Sequence, residues 1–136
     1  MNLYFTNSMA NLLSKLRIDY SSLTMLQGVT EKPKDSTIEL HSRILDGFLE
    51  GQNSECFISN AERKLLEEKT HRQLRLREML VEHSSQASLI VMSLPMPRQG
   101  SVSAPLYMSW LEVMTHELPP FLLVRGNQSS VLTFYS

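Results

Sequence analysis

Two short apolar runs on either side of an amphipathic stretch constrain this chain more than any other feature. The first, Ala87 to Leu94 (ASLIVMSL), is ended by Pro95 and Pro97, and the second, Phe121 to Val124, follows directly on Pro119 and Pro120. Proline lacks the N–H that a helix interior or a ladder needs, so each pair punctuates the chain. The runs are too short for ordinary helices and, apolar at successive positions, read as strands of the kind that parallel sheets bury on both faces. Between them Ser103 offers an N-cap and Pro105 a first-turn residue. Leu106, Tyr107, Trp110, Leu111 and Met114 then recur at helical spacing as far as about Glu117. Strand 87–94, helix 104–117 and strand 121–125 predict a βαβ unit with a right-handed parallel crossover. The fold class that follows is α/β, a mostly parallel sheet flanked by helices.

The remainder of the chain is read more coarsely. Met9, Leu12, Leu13, Leu16 and Ile18 predict a short amphipathic helix over 9–18, and Ser22 to Gln27 a strand closed by Gly28. Residues 30–37 are a loop around Pro33. A helix over 36–49 carries Ile38, Ile44, Leu45, Phe48 and Leu49, with Gly47 costing it about 1 kcal/mol relative to alanine. Residues 50–57 offer no periodicity, so a flexible connector is expected at about 28–58. Ser59 followed by Glu62 is a capping-box pattern with Ile58 as its staple. From Asn60 to His83 there is neither Pro nor Gly, and Leu65, Leu66, Leu76, Met79 and Leu80 form the apolar stripe of one long helix. Arg125 to Ser130 is turn chemistry, and Val131 to Tyr135 reads as a last strand.

Composition excludes several function classes. A length of 136 residues suits one domain, and 42% apolar with 20% charged residues is a folding composition. Thirteen Lys plus Arg against 14 Asp plus Glu give a charge of −1, so no nucleic-acid partner held by bulk charge is expected. The single cysteine, Cys56, excludes an internal disulfide and any multi-cysteine zinc site. His41, His71, His83 and His116 show neither HExxH nor i, i+4 pairing, so no metal site is expected. No GxSxG elbow or nucleophile–base arrangement is present, so no catalytic residue is assigned and the chain does not read as an enzyme. No apolar run reaches the roughly 18–20 residues of a membrane span, and no signal peptide opens the chain, which alone is expected to be soluble.

Three groups of side chains are candidates for function. The loop holding Arg98, Gly100 and Ser101 lies between a strand end and a helix start, and a second loop holds Gly126 and Ser129. Open α/β sheets bind ligands at such places, and the two loops together suggest an anion or nucleotide site. A hairpin turn accounts equally well for the second loop. Lys69, Arg72, Arg75 and Arg77 on the long helix are interleaved with Glu67, Glu68, Glu78 and Glu82 and read as a solvated, ion-paired face. Tyr107, Met108, Trp110 and Met114 read as core, or as a homodimer face rich in aromatics and methionine.

Longer stretches carry a resemblance. MANLLSKLRIDYSSLTML, THRQLRLREMLVEHSSQASLIVMSLP, LYMSWLEVMTHELPPFLLVRGN and the terminal VLTFYS closely resemble the carboxyl end of the electroneutral cation-chloride cotransporters, solute carrier family 12, and most of all its sodium-potassium-chloride branch. The resemblance covers residues 9–136 and leaves 1–8 as an unassigned leader. It implies a plasma-membrane parent with about twelve membrane helices that couples Na+, K+ and Cl− movement. It also implies a cytosolic carboxyl-terminal domain of two similar halves that mediates homodimerisation and regulation, and its resemblance to universal stress proteins implies ATP or another adenine nucleotide as the cofactor of a nucleotide site. This chain resembles the last half, on the cytoplasmic side of the membrane domain of the same polypeptide. Cys56 stands near the place where the family usually has a tryptophan. Arg98-Gln99 replaces the family's basic pair before the glycine, one charge weaker. The acidic stretch of the connector is also shorter.

Overall fold

The structure, a computed structural model, describes residues 3–19, 23–50 and 58–126. Within them the chain runs α1 (Leu3–Lys15), α2 (Asp35–Glu50), α3 (Asn60–Leu65), α4 (Glu67–Ser84), β1 (Ile90–Ser93), α5 (Ala104–Thr115) and β2 (Phe121–Val124). β1 and β2 pair in parallel, Ile90 opposite Phe121 and Ser93 opposite Val124, with α5 as the crossover. The expected βαβ unit and α/β class are both present. The strand expected at 131–135 lies outside the described residues.

α5 organises the core. Leu106, Ser109, Trp110, Val113 and Met114 are its buried residues, spaced i, i+3, i+4, i+7, i+8, the stripe that a 3.6-residue repeat turns to one side. Ser109 and Val113 take places that the sequence reading gave to Tyr107 and Leu111, which are half-buried. α2 meets this stripe with Thr37, His41 and Leu45, four residues apart and all buried. Leu45, Ile58, Leu66, Leu106 and Trp110 form one apolar cluster, with Val102 and Tyr107 packed against it. α2 lies within the stretch 28–58 that was expected as a connector. Its start is held from outside: Glu78 of α4 accepts from Lys34 N–H (2.7 Å) and Thr37 Oγ1 (2.8 Å). Arg75 Nε donates to Gly28 O (3.1 Å), and its other nitrogens reach Glu78 and Glu31.

Four expectations need correction. The helix read as unbroken from 60 to 83 is two, parted at Leu66, whose φ of −102° and ψ of 10° leave the helical basin. No Pro or Gly marks the break; Leu66 is buried in the apolar cluster at 4% exposure, while Leu65, counted in the expected stripe, is 81% exposed. The break also rephases α4, so that Leu74, absent from the expected stripe, is 1% exposed.

The strand expected at 22–27 is not formed at the described residues 23–27, which are exposed and outside any helix or strand. The Gly28–Glu31 turn, with Gly28 at φ +86°, is fastened to α4 by Arg75, whereas β1 pairs with β2 alone among the described residues.

The strands are shorter than the apolar runs and are not buried on both faces. Ile90, Met92, Phe121 and Leu123 are buried or half-buried, while Val91 (62%), Leu122 (51%) and Val124 (47%) are open.

Finally, α1 begins at Leu3, inside the expected leader, and ends at Lys15, short of the expected Ile18, in a left-handed cap. Arg17 sits at φ 56°, with Ile18 N–H on Leu13 O (2.9 Å) and Arg17 N–H on Ser14 O (3.0 Å).

Candidate functional site

The crossover from β1 into α5 creates the site. After β1 the chain makes a turn over Arg98–Ser101 in which Ser101 N–H donates to Arg98 O (3.0 Å). Gly100 at φ +73° supplies the left-handed third position that such a turn requires of glycine. Pro95 O then accepts from Tyr107 Oη (2.9 Å), and Ser103 N–H donates to Glu62 Oε1 of α3 (2.6 Å), so both ends of the loop are pinned to helices. Glu62 thus caps α5 from another element. The sequence pattern had placed it on Ser59, whose hydroxyl does accept from Glu62 N–H (3.1 Å) as the capping box requires. Ser103 is the N-cap of α5 by position, yet its hydroxyl makes no cap bond and is buried without a partner among the described residues.

Beneath this loop lies a cavity of about 510 Å³. Its floor is Leu66, Tyr107 and Trp110, and its rim carries Lys69, Arg72 and Arg98, with Gln73 and Ser101 beside them. Among the described residues no carboxylate lines it. Lys69 and Arg72 share an α4 face with Gln73, and Arg98 approaches from the loop. None of the three cations makes an ion pair or a side-chain hydrogen bond among the described residues. Gln73 Oε1 is buried with no partner among the described residues, an unmet hydrogen-bonding atom at the cavity wall. Three unpaired positive charges at the carboxyl end of β1 and the start of a twelve-residue helix form an anion-attracting concavity. Trp110 is held upright in the floor by its Nε1–H, which donates to Thr70 Oγ1 (3.1 Å).

A larger groove of about 890 Å³ between α2 and α4 differs in kind. Two of its arginines are spent on the fold: Arg75 pairs with Glu78 and Glu31, and Arg77 donates to Val113 O (3.0 Å) and His116 O (2.6 Å) at the end of α5. Burial opposes ionisation of Glu78, but the hydrogen bonds from Lys34, Arg75 and Thr37 outweigh it and hold its pKa below the ordinary carboxylate value.

The residues singled out by sequence separate accordingly. Arg98 and Ser101 line the cavity and Gly100 shapes its loop, while Gly126, exposed after β2, is not among the lining residues and Ser129 lies outside the described residues. Trp110 and Met114 are core at 5% and 0% exposure, and Tyr107 is shared between core and cavity. Lys69 and Arg72 were read as an ion-paired solvated face. Both are exposed as that reading has it, but they line the cavity with no ion pair among the described residues, while Arg75 and Arg77 take structural roles. Their position was legible in one respect, since residues 66, 69 and 73 fall on one helical stripe and Leu66 is its buried end. Among the described residues no group of three His, Cys, Asp or Glu side chains could hold a metal ion, and no helix is long and apolar enough to cross a membrane.

Comparison with known proteins supplies what the cavity alone does not. A family model described as solute carrier family 12 matches residues 4–136, taking in most of the leader. The chain belongs to solute carrier family 12. The bumetanide-sensitive sodium-(potassium)-chloride cotransporter of Manduca sexta is 58% identical to it over 130 residues. Solute carrier family 12 member 2 of Homo sapiens is 46% identical and member 1 of Mus musculus 42% identical, each over 142 residues. Each match covers 95% of this chain but only 12–13% of the relative. Within solute carrier family 12 the likeness is thus to sodium-potassium-chloride cotransporters, and the chain corresponds to about an eighth of such a protein.

Proposed function

We propose that this chain acts as the cytoplasmic carboxyl-terminal regulatory and dimerisation region of a plasma-membrane sodium-(potassium)-chloride cotransporter. Ion movement is the work of the membrane part of the same polypeptide, which carries Na+, K+ and Cl− in an electroneutral cycle; the segment alone transports nothing. The observation that carries the reading is the 58% identity over 95% of this chain to only 12% of a cotransporter. A packed α/β body with no membrane-crossing helix among its described residues is what such a segment needs to be. Regulation then means biasing the transporter between active and inactive states through domain packing.

Dimerisation is supported by the open outer face of the sheet. Leu89, Val91, Leu122 and Val124 are 47–62% exposed there, and a second copy is the occupant this reading assigns. Val91→Lys is expected to convert a dimer to a monomer in sedimentation equilibrium; an unchanged dimer refutes that surface. The wider reading is tested by immunoblotting fractionated native tissue with an antibody to residues 126–136. Twelve spans of ~20 residues alone need about 240 residues. A single membrane-fraction band far above 15.6 kDa is expected, and a soluble band near 15.6 kDa contradicts the reading.

A second reading, a nucleotide-binding module resembling universal stress proteins, is favoured by the cationic cavity. It requires adenine nucleotide to raise the melting temperature by mass action and Arg98→Ala, or Lys69→Ala with Arg72→Ala, to abolish the rise. No shift at millimolar ATP removes it.

A further inference from the structure

Most charged groups in the described body are either solvated or ion-paired. His41 is neither. It is 7% exposed, in the middle of the α2 stripe that docks on α5, and its Nε2 lies 2.9 Å from Ser109 Oγ. Ser109, 0% exposed, spends its own proton on Leu106 O at 2.7 Å. With its proton on Leu106 O the hydroxyl accepts from the ring, the arrangement in which His41 is the Nε2–H donor and Nδ1 the site for any added proton.

The surroundings oppose a second proton. Arg63 of α3 acts on the ring with a like charge. On the α4 side of α2 the groove presents Arg75, Arg77 and Glu78, and Glu78 is already engaged by Lys34, Thr37 and Arg75. α5 offers Ser109 at the ring and carries His116 and Glu117 beyond its far end. Charge placed on His41 thus enters a buried helix contact with no free carboxylate beside it among the described residues. One turn on, Leu45 belongs to the same apolar cluster as Leu66 and Trp110, and those two form the cavity floor.

We propose that His41 is a proton-operated latch: protonation at Nδ1 releases α2 from α5 and loosens the floor of the cationic cavity. Below neutrality the domain then passes from a docked to an undocked α2, and the cavity loses its shape with it. Burial, followed by the charge of Arg63, holds the His41 pKa below its ordinary value near 6.5. The docked form is therefore complete at pH 7.5 and is lost as the pH falls below that value.

The test uses the whole chain, whose single tryptophan is Trp110 in the cavity floor. Trp110 emission and amide hydrogen exchange, corrected for intrinsic pH effects, are followed from pH 7.5 to 5.0 for wild type and for His41→Gln, which keeps a donor but cannot titrate. In wild type, α2 amides are expected to exchange at least about tenfold faster, and Trp110 emission to shift red, in one transition below about pH 6.5. In His41→Gln both readouts stay flat. Constant α2 protection in wild type, or the same transition in His41→Gln, overturns the proposal. Should the variant fail to fold at pH 7.5, the wild-type His41 ring titration followed by NMR decides. A midpoint coinciding with the exchange transition supports the latch, and a separate midpoint overturns it.

Discussion

Replacing Trp110 with alanine removes the largest side chain of the apolar cluster from a site where it is 5% exposed. A buried tryptophan covers on the order of 200 Å², which at about 25 cal/mol per Å² corresponds to roughly 5 kcal/mol as an upper bound. The loss has a second part, because Trp110 Nε1–H donates to Thr70 Oγ1 at 3.1 Å and the hydroxyl is left without that partner, about 1 kcal/mol. Compaction of the unfolded chain and relaxation of the cavity offset some of this, so about 4 kcal/mol is expected, within the usual range for such truncations. With a urea slope of about 2 kcal/mol per M, the midpoint falls by about 2 M. Far-ultraviolet circular dichroism is the assay, since the variant has no tryptophan to report. Trp110→Phe keeps most of the apolar volume and loses the hydrogen bond, and about 1–2 kcal/mol is expected. Leu65→Ala is the contrast: the residue is 81% exposed and its removal is expected to cost less than about 0.5 kcal/mol. A Trp110→Ala midpoint indistinguishable from that of Leu65→Ala refutes the packing account.

Other perturbations probe single links. Arg77→Met leaves the carbonyls of Val113 and His116 without their shared donor, and calorimetry is expected to show a loss of about 2 kcal/mol with the first hydrogen-exchange changes at the end of α5. Arg17→Gly relieves the left-handed residue that closes α1, at φ 56°, and is expected to stabilise that helix end by up to about 1 kcal/mol, read as slower exchange of the Ile18 amide. Because the Glu78 pKa is lowered in the fold, its contribution is present above the ordinary carboxylate range and is lost as the pH falls through its folded value. Glu78→Gln is therefore expected to flatten the acid limb of a stability profile below about pH 4.5, and an unaltered limb contradicts the assignment.

The helix of α5 and the parallel pairing around it were legible because proline pairs and apolar spacing agreed with one another at every level. α2 was legible in outline, but its docking was not, because its contact stripe is Thr37, His41 and Leu45 and only the last is apolar. A polar stripe carries no hydrophobic period; what makes it buriable is the pair of partners at Glu78 and Ser109, which are 41 and 68 residues away. The break at Leu66 was hidden for a related reason, since tertiary packing of one side chain set it and no Pro or Gly announced it. Of the site, the loop through Arg98 was found from its place between strand and helix. Arg72 has Glu68 four residues before it, which suggests an ion pair, but none forms among the described residues, and Lys69 has no glutamate at i±3 or i±4; both line the cavity. The open outer face of the sheet is the opposite case: a run apolar at every position implied cover on both sides, and the described residues cover one.

The central claim, that this chain works as the regulatory end of a cotransporter, is tested most directly by bumetanide-sensitive chloride uptake. The Manduca sexta cotransporter is expressed with its matching segment exchanged for this chain, and again for this chain carrying Trp110→Asp, each quantified at the cell surface. The account predicts uptake per surface molecule close to that of the unaltered cotransporter for the first exchange, and a several-fold loss for the second. Equal uptake by the two exchanges, with the Trp110→Asp segment shown to be unfolded, contradicts it.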